Sequence, residues 1–243
     1  MFPFCPEPSR VGEGRGNSFK TVFWTIELTP FVNRLPVASG NFIPVLVREI
    51  RPSLRPSYRA RRWETLVHAP YIRVDGARPD RDWDWVWEIP ILTFAVGVVR
   101  RPRIFQLSLA HDDFPLGMIA LLENERWPHD HAQPAVYVWY VTGAPFAAVA
   151  ARGDPKLRTA ATLDIAVTIG LNSAADGRLW LHAAPEGGDT LLRWYTEKGL
   201  ENVAGHIVLP SGLLVPREND GRYFQLTATA AADFSRGLDG CRR

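Results

Sequence analysis

The chain has 243 residues, 46% hydrophobic and 22% charged, with a formal net charge of +2. This supports one sizeable core and excludes both an intrinsically disordered chain and a generic polyanion binder. The only cysteines, Cys5 and Cys241, lie in the outermost segments, so neither a disulfide scaffold nor a cysteine-rich metal site is expected.

The opening segment "MFPFCPEPSRVGEGRG" has no basic region followed by an apolar run, so it is not read as a signal peptide. No apolar stretch reaches the ~18 residues of a membrane-spanning helix. The cytoplasm is the expected compartment. Residues 1–18 are rich in Pro, Gly and Arg and are expected to be disordered. Their glycine-rich run, Gly12 to Gly16, follows no strand and opens no helix, so it does not read as a phosphate loop.

Residues 21–28, with β-branched and aromatic side chains, predict a strand. Residues 41–50 predict another, with Ile43, Val45, Val47 and Glu49 on one face and Pro44 marking an irregular start or an edge. Five arginines follow between Arg51 and Arg62, with no acid among them. From Tyr58 to His68 the pattern is helical, with Tyr58, Trp63 and Leu66 as apolar positions. The arginines read first as a solvated helix face and second as a polyanion contact. In "DRDWDWVWEIPILTFAV", Trp83, Trp85 and Trp87 alternate as on a strand, while Trp83 and Trp87 also share a helix face. Periodicity does not arbitrate between the two. Residues 81–97 are taken as irregular or helical cover broken at Pro90. The tryptophans are core first and substrate-pocket wall second.

The pattern then becomes regular. Residues 103–110 and 115–124 predict a hairpin about "HDDF", and 135–145 a long aromatic strand stopped by Gly-Ala-Pro. Residues 155–175 predict a helix with Leu163, Val167 and Leu171 as its stripe, widened by Ile165 and Ile169. A strand at 177–184 and a helix capped by Asp189 and stopped by Gly199 come next. Residues 205–216 and 221–230 predict a closing antiparallel pair. The fold class is α/β (α+β): a mixed, mostly antiparallel central sheet with flanking helices, and one crossover unit from Val136 to Ala184. A single domain over 19–232, with its core at 41–230, is expected to end in a flexible tail at 233–243.

That order, together with "DGRLWLHAAPEGGDTLLRWYTEKGLENV", resembles the GNAT acyltransferase superfamily over roughly residues 41–230. In that family a strand–helix–strand–helix unit ends in a helix bearing a tyrosine, then a glycine and an apolar residue, here Tyr195, Gly199 and Leu200. The resemblance implies a GNAT-like fold and acyl transfer from coenzyme A to a small-molecule or protein amine, with acetyl-CoA or another acyl-CoA as cofactor. It implies that Tyr195 protonates the leaving thiolate, a task suited to a phenol that is neutral at pH 7. It implies that backbone near Val141, Thr142 and Gly143 pairs with the pantetheine arm. The loop after this strand would lead the pyrophosphate to the next helix start. Here that loop departs from the family pattern, because "Arg152-Gly153-Asp154" is a poor match and the turn is glycine-poor. Arg152, Gly153, Lys156 and Arg158 remain the candidate phosphate contacts, with Asp154 as a helix cap. A catalytically silent binding or regulatory module on the same fold is the alternative.

An amine must lose a proton before attack. His182, on the face of its strand shared by Arg178 and Trp180, and Glu123, at the end of the strand "MIALLEN", are the candidate bases. Trp83, Trp85 and Trp87 are the candidate acceptor contacts, suited to an apolar or cationic ligand. His129 and His131 with Asp112 carry metal-ligand chemistry, but they sit in short loops without helical spacing, and no metal is expected. A membrane and nucleic acid are not expected partners. A homodimer is an open expectation.

Overall fold

The structure, a computed structural model, describes residues 28–51, 53–54, 57–97, 102–203 and 219–242. The expected strand at 21–28 (all but its last residue), the glycine run at 12–16 and the expected strand at 205–216 lie outside these residues. The described chain runs β1 (Arg34–Pro36), β2 (Phe42–Ile50), α1 (Tyr58–Trp63), a π-helical stretch (Glu64–Ile72), α2 (Trp85–Gly97), β3 (Pro102–Leu109), β4 (Pro115–Arg126) and β5 (Pro134–Gly143). It continues with α3 (Phe146–Val149), α4 (Arg158–Leu171), β6 (Leu179–His182), α5 (Gly188–Glu197), β7 (Glu201–Asn202), β8 (Tyr223–Leu226) and α6 (Ala228–Arg236). Among the described residues no helix is long and apolar enough to cross a membrane.

The strands form one sheet in the order β1-β2-β3-β4-β5-β6-β8-β7. Every neighbouring pair is antiparallel except β5 and β6. This is the mixed, mostly antiparallel sheet with flanking helices that the sequence predicts. The period of two sorts the core onto both faces. Met118, Ala120 and Leu122 of β4 pack with Trp63, Trp85 and Ile89 on one side. Ile119 and Leu121 pack with Leu163 and Val167 of α4 on the other. Two glycines let α4 approach the sheet closely. A Cβ on Gly117 would collide with the Thr162 hydroxyl, and one on Gly143 with that of Thr159.

Several local expectations are corrected. Helix α2 runs straight through Pro90. The proline forfeits one helical hydrogen bond, but burial of Trp85, Ile89 and Leu92 holds the helix on the sheet. Tyr58 is exposed rather than a core position. Of the arginines of α1, Arg61 is exposed, whereas Arg59 and Arg62 are held by the protein itself. Arg59 donates to Gln106 and Asp113, and Arg62 to the carbonyls of Asp112 and Asp113, which pins α1 to the β3–β4 turn. The segment after 233, expected to be a flexible tail, continues α6 to Arg236 and then packs back on the domain. There Arg242 donates to the buried Asp164 of α4, to the Ser235 carbonyl and hydroxyl, and to the Pro30 carbonyl.

Candidate active site

The parallel pairing of β5 with β6 is short: Val136↔Leu179, Tyr137↔Trp180 and Val138↔Leu181. Strand β6 stops at His182, whereas β5 runs on to Gly143. At the parting point β5 carries an extra residue. Ala120 faces Tyr140 and Leu121 faces Val138, so Trp139 is a bulge that bends the strand. The two strands splay, and a cleft of about 440 Å³ opens between them. Its walls are the end of β5, the end of β6, helix α5 and the turns at 77–83.

Helix α5 brings a phenol to this cleft. Its N-cap is Gly187, which corrects the expected Asp189; Asp189 sits in the first turn, where its charge complements the helix dipole. The other end stops as expected. Gly199 has φ 82°, the Gly199 N–H donates to Thr196 and the Leu200 N–H to Tyr195, a Schellman closure. Tyr195 faces inward against Phe224, with ring centroids 5.4 Å apart, and lines the cleft while only 4% exposed. Burial alone pushes its hydroxyl well above the ordinary phenol range, so it is a neutral donor at physiological pH.

His182 reaches the same cleft from the end of β6. Its Nε2 lies 2.9 Å from Asp220 Oδ2, and its ring lies 4.6 Å from that of Tyr223. Asp220 is itself fixed, because its Oδ1 accepts from the Arg222 N–H at 3.0 Å in a turn closed at Gly221 (φ 78°). Burial would raise the Asp220 carboxyl. The bonds from His182 and Arg222 outweigh it and hold the group below its ordinary range. The arrangement leaves Nδ1 of His182 as the ring nitrogen that can exchange a proton with a ligand.

At the far end of β5, Thr142 donates to Asp80, and Arg78 donates to Asp80 at 2.8 and 2.7 Å. All three line the cleft, and Asp80 is only 4% exposed. The turns carrying Arg78 and Asp80 are anchored behind by His68, whose Nε2 donates to the Arg81 carbonyl at 2.9 Å.

The sequence candidates separate. Tyr195, His182, Val141, Thr142, Gly143 and Trp83 line one cleft. Glu123 is far from it. Antiparallel register puts the start of β4 beside the cleft, with Gly117 facing Gly143, and the end of β4 at the opposite edge of the sheet. There Glu123 pairs with Arg103 at 2.5 Å. Of the other tryptophans, Trp85 is core at 1% exposure and Trp87 faces outward at 68%. The helical period of α2 separates these two positions, where a strand would have put them on one face. Arg152, Gly153, Lys156 and Arg158 do not line the cleft. Arg152 stacks over Phe114 at 3.7 Å and pairs with Asp112, and Lys156 is held by Asp154. Asp154 does not cap α4, whose N-cap is Leu157 in the left-handed region. Among the described residues no three His, Cys, Asp or Glu side chains converge on a metal-sized site.

Sequence reasoning missed Arg78, Asp80, Trp139, Trp194 and Asp220 in or beside the cleft. The alternating charges of "RPDRDWDW" are the only trace of the Arg78–Asp80 pair. Asp220 sits 38 positions from its histidine, a distance that no local motif spans.

No family model matches the chain, and no curated protein matches it. Among solved structures it is similar to a mutant of the spermidine N-acetyltransferase SpeG from Vibrio cholerae, with 14% identity over 79% of this chain and 98% of that one and a TM-score of 0.44. It is also similar to a mutant of the AtaT toxin bound to the C-terminus of the antitoxin AtaR and acetyl-CoA, with 11% identity over 77% and 95% and a TM-score of 0.44. A third similar structure is the AtaT–AtaR complex bound to DNA, at 10% identity over 77% and 97% and a TM-score of 0.43.

Proposed function

We propose that this chain is an acyl-CoA-dependent N-acyltransferase, with acetyl-CoA the expected donor, that passes the acyl group to an amine by direct attack. The observation that carries this reading is the meeting of a buried neutral phenol and a carboxylate-held imidazole in the cleft where β5 and β6 part. The lining of the cleft supports an acyl-CoA donor. It follows the end of β5, where Val141, Thr142 and Gly143 would hold the pantetheine arm. A bound acyl-CoA supplies a thioester carbonyl as the electrophile.

The residues then divide the proton traffic. His182 takes a proton at Nδ1 from the acceptor ammonium, and Asp220 holds the ring and favours the resulting imidazolium. As the new N–C bond forms and the C–S bond breaks, Tyr195 donates to the departing sulfur. A free phenol and a free thiol differ by only about 1.5 pKa units. Burial shifts both upward, so the desolvated phenol stays matched to a desolvated thiolate. The amide nitrogen gives up its second proton to restore the phenol, so of the two protons the ammonium loses, one ends on the thiol and one leaves through His182 to solvent. Trp83, Trp139 and Trp194 give the cleft aromatic walls, which favour an alkylammonium acceptor.

A silent binding module on this fold is the second reading. It is favoured by the loop at 144–157, where Arg152 and Lys156 are spent on internal carboxylates. Calorimetry with acetyl-CoA, followed by thiol release across a panel of primary amines and polyamines, separates the two. Micromolar binding with amine-dependent thiol release supports transfer, and no binding at millimolar acetyl-CoA supports the module.

A further inference from the structure

Arg78 lies outside every segment that the sequence assigns to the cofactor, yet it stands in the cleft beside Gly143 and Thr159. Its Nε and Nη2 are taken by Asp80, and Nη2 also donates to the Gly143 carbonyl at 3.1 Å. The next carbonyl along the chain, that of Ala144, accepts from Nε of Arg158 at 2.5 Å. Nη1 of Arg158 donates to the Pro155 carbonyl at 2.8 Å and lies 3.5 Å from Asp154. Two guanidiniums are therefore anchored on consecutive carbonyls at the end of β5. Each keeps one NH₂ group, Nη1 of Arg78 and Nη2 of Arg158, with no partner among the described residues.

Both side chains are held but not sealed, at 23% and 16% exposed. The Arg158 guanidinium lies below its usual range, first through burial and then through the charge of Arg78, against the pull of Asp154. The two cations thus stand within electrostatic reach of each other. Three cations, Arg78, Lys156 and Arg158, share two carboxylates, Asp80 and Asp154, so the cluster is one negative charge short of balance. Pre-oriented guanidinium edges suit the oxygens of a phosphoanhydride, which offers several acceptors a few ångströms apart.

We propose that Arg78, in the cleft, and Arg158, just beyond its β5 end on the Ala144 carbonyl, form a diphosphate-binding pair in place of the glycine-poor loop. Resting on the acyltransferase reading, the diphosphate is that of the acyl-CoA. A phosphate-bearing acceptor would present the same chemistry from another source.

The test uses the full chain and calorimetry with three probes: inorganic pyrophosphate, acetyl-CoA and S-acetylpantetheine, which lacks phosphate. The double variant Arg78→Gln with Asp80→Asn removes the guanidinium without stranding a buried carboxylate and leaves net charge unchanged. Arg158→Gln probes the second member. If the double variant melts below the wild type, Arg78→Lys keeps the charge beside Asp80 and removes only the fork. Each variant is expected to weaken pyrophosphate and acetyl-CoA by about 10- to 100-fold and to leave S-acetylpantetheine unchanged. Equal affinity of wild type and folded variants for pyrophosphate and acetyl-CoA would overturn the pair while leaving the acyltransferase reading in place. Arg78-dependent pyrophosphate binding without any acetyl-CoA binding would sustain the pair, reject acyl-CoA as the source and defeat the acyltransferase reading.

Discussion

Tyr195 and His182 approach one cleft from opposite faces of the sheet. Tyr195 packs with Leu181 and Phe224 on the α4 side, whereas His182 stacks on Tyr223, which belongs to the core of the other side. A closed sheet would keep them apart. The parting of β5 from β6 after Val138↔Leu181 lets both side chains reach the same space.

The two base candidates should behave differently. His182→Gln is expected to lower turnover by about 10²- to 10⁴-fold, the usual worth of a positioned acid or base. Glu123→Gln, at the other edge of the sheet, is expected to change turnover less than twofold. Steady-state kinetics on both variants checks this, and a large loss at Glu123 would refute the placement of the cleft.

The packing of α4 on the sheet predicts a stability effect. Gly117→Ala drives a methyl into the Thr162 hydroxyl and toward the Thr142 carbonyl. It should cost about 1–3 kcal/mol by overpacking. Urea unfolding reads this as a lower midpoint with an unchanged slope.

The C-terminal anchor carries a pH dependence. Burial pushes the Asp164 carboxyl up to about 6, against the pull of Arg242, Thr168 and Ser235. The unfolded chain has it near 3.9. The native state therefore binds the proton more tightly. The stability this contributes is full below pH ~4 and is lost as pH rises through about 6. The melting temperature of the wild type relative to Asp164→Asn should fall across that window, and a flat difference would contradict it. Arg242→Ala removes the partner of a residue that is 1% exposed and should cost about 3–5 kcal/mol at neutral pH.

The outward tryptophan offers a control. Trp87→Ala is expected to leave kinetics unchanged, whereas Trp83→Ala strips a ring stacked 4.6 Å from Tyr140 in the cleft wall. Trp83→Ala should raise the acceptor KM severalfold, and equal kinetics for the two variants would argue against an aromatic acceptor wall.

Much of the fold was legible because strand and helix periods are local. The strands at 41–50, 103–110, 115–124 and 135–145, the helix at 155–175 and the Gly199 stop all fall close to where the residue pattern put them. Tyr195 and His182, which line the same cleft, each sit at a recognisable position on their elements. What the residue pattern could not supply was pairing and packing. Glu123 looked like a cleft residue until strand direction placed it at the far edge. Arg152 and Lys156, read as phosphate contacts, lie outside the cleft lining and pair with Asp112 and Asp154, partners that no local pattern announces. Arg78 was passed over because a single arginine in a polar turn carries no periodic signal, and its meaning lies in the Gly143 carbonyl 65 positions away.

The most direct measurement is thiol release from saturating acetyl-CoA, across the amine panel, by the wild type and Tyr195→Phe, with acetyl-CoA affinity measured on both. The account predicts amine-dependent release by the wild type, a fall of about 10²-fold or more in the variant, and affinities within twofold of each other. Equal turnover by the two proteins would contradict it.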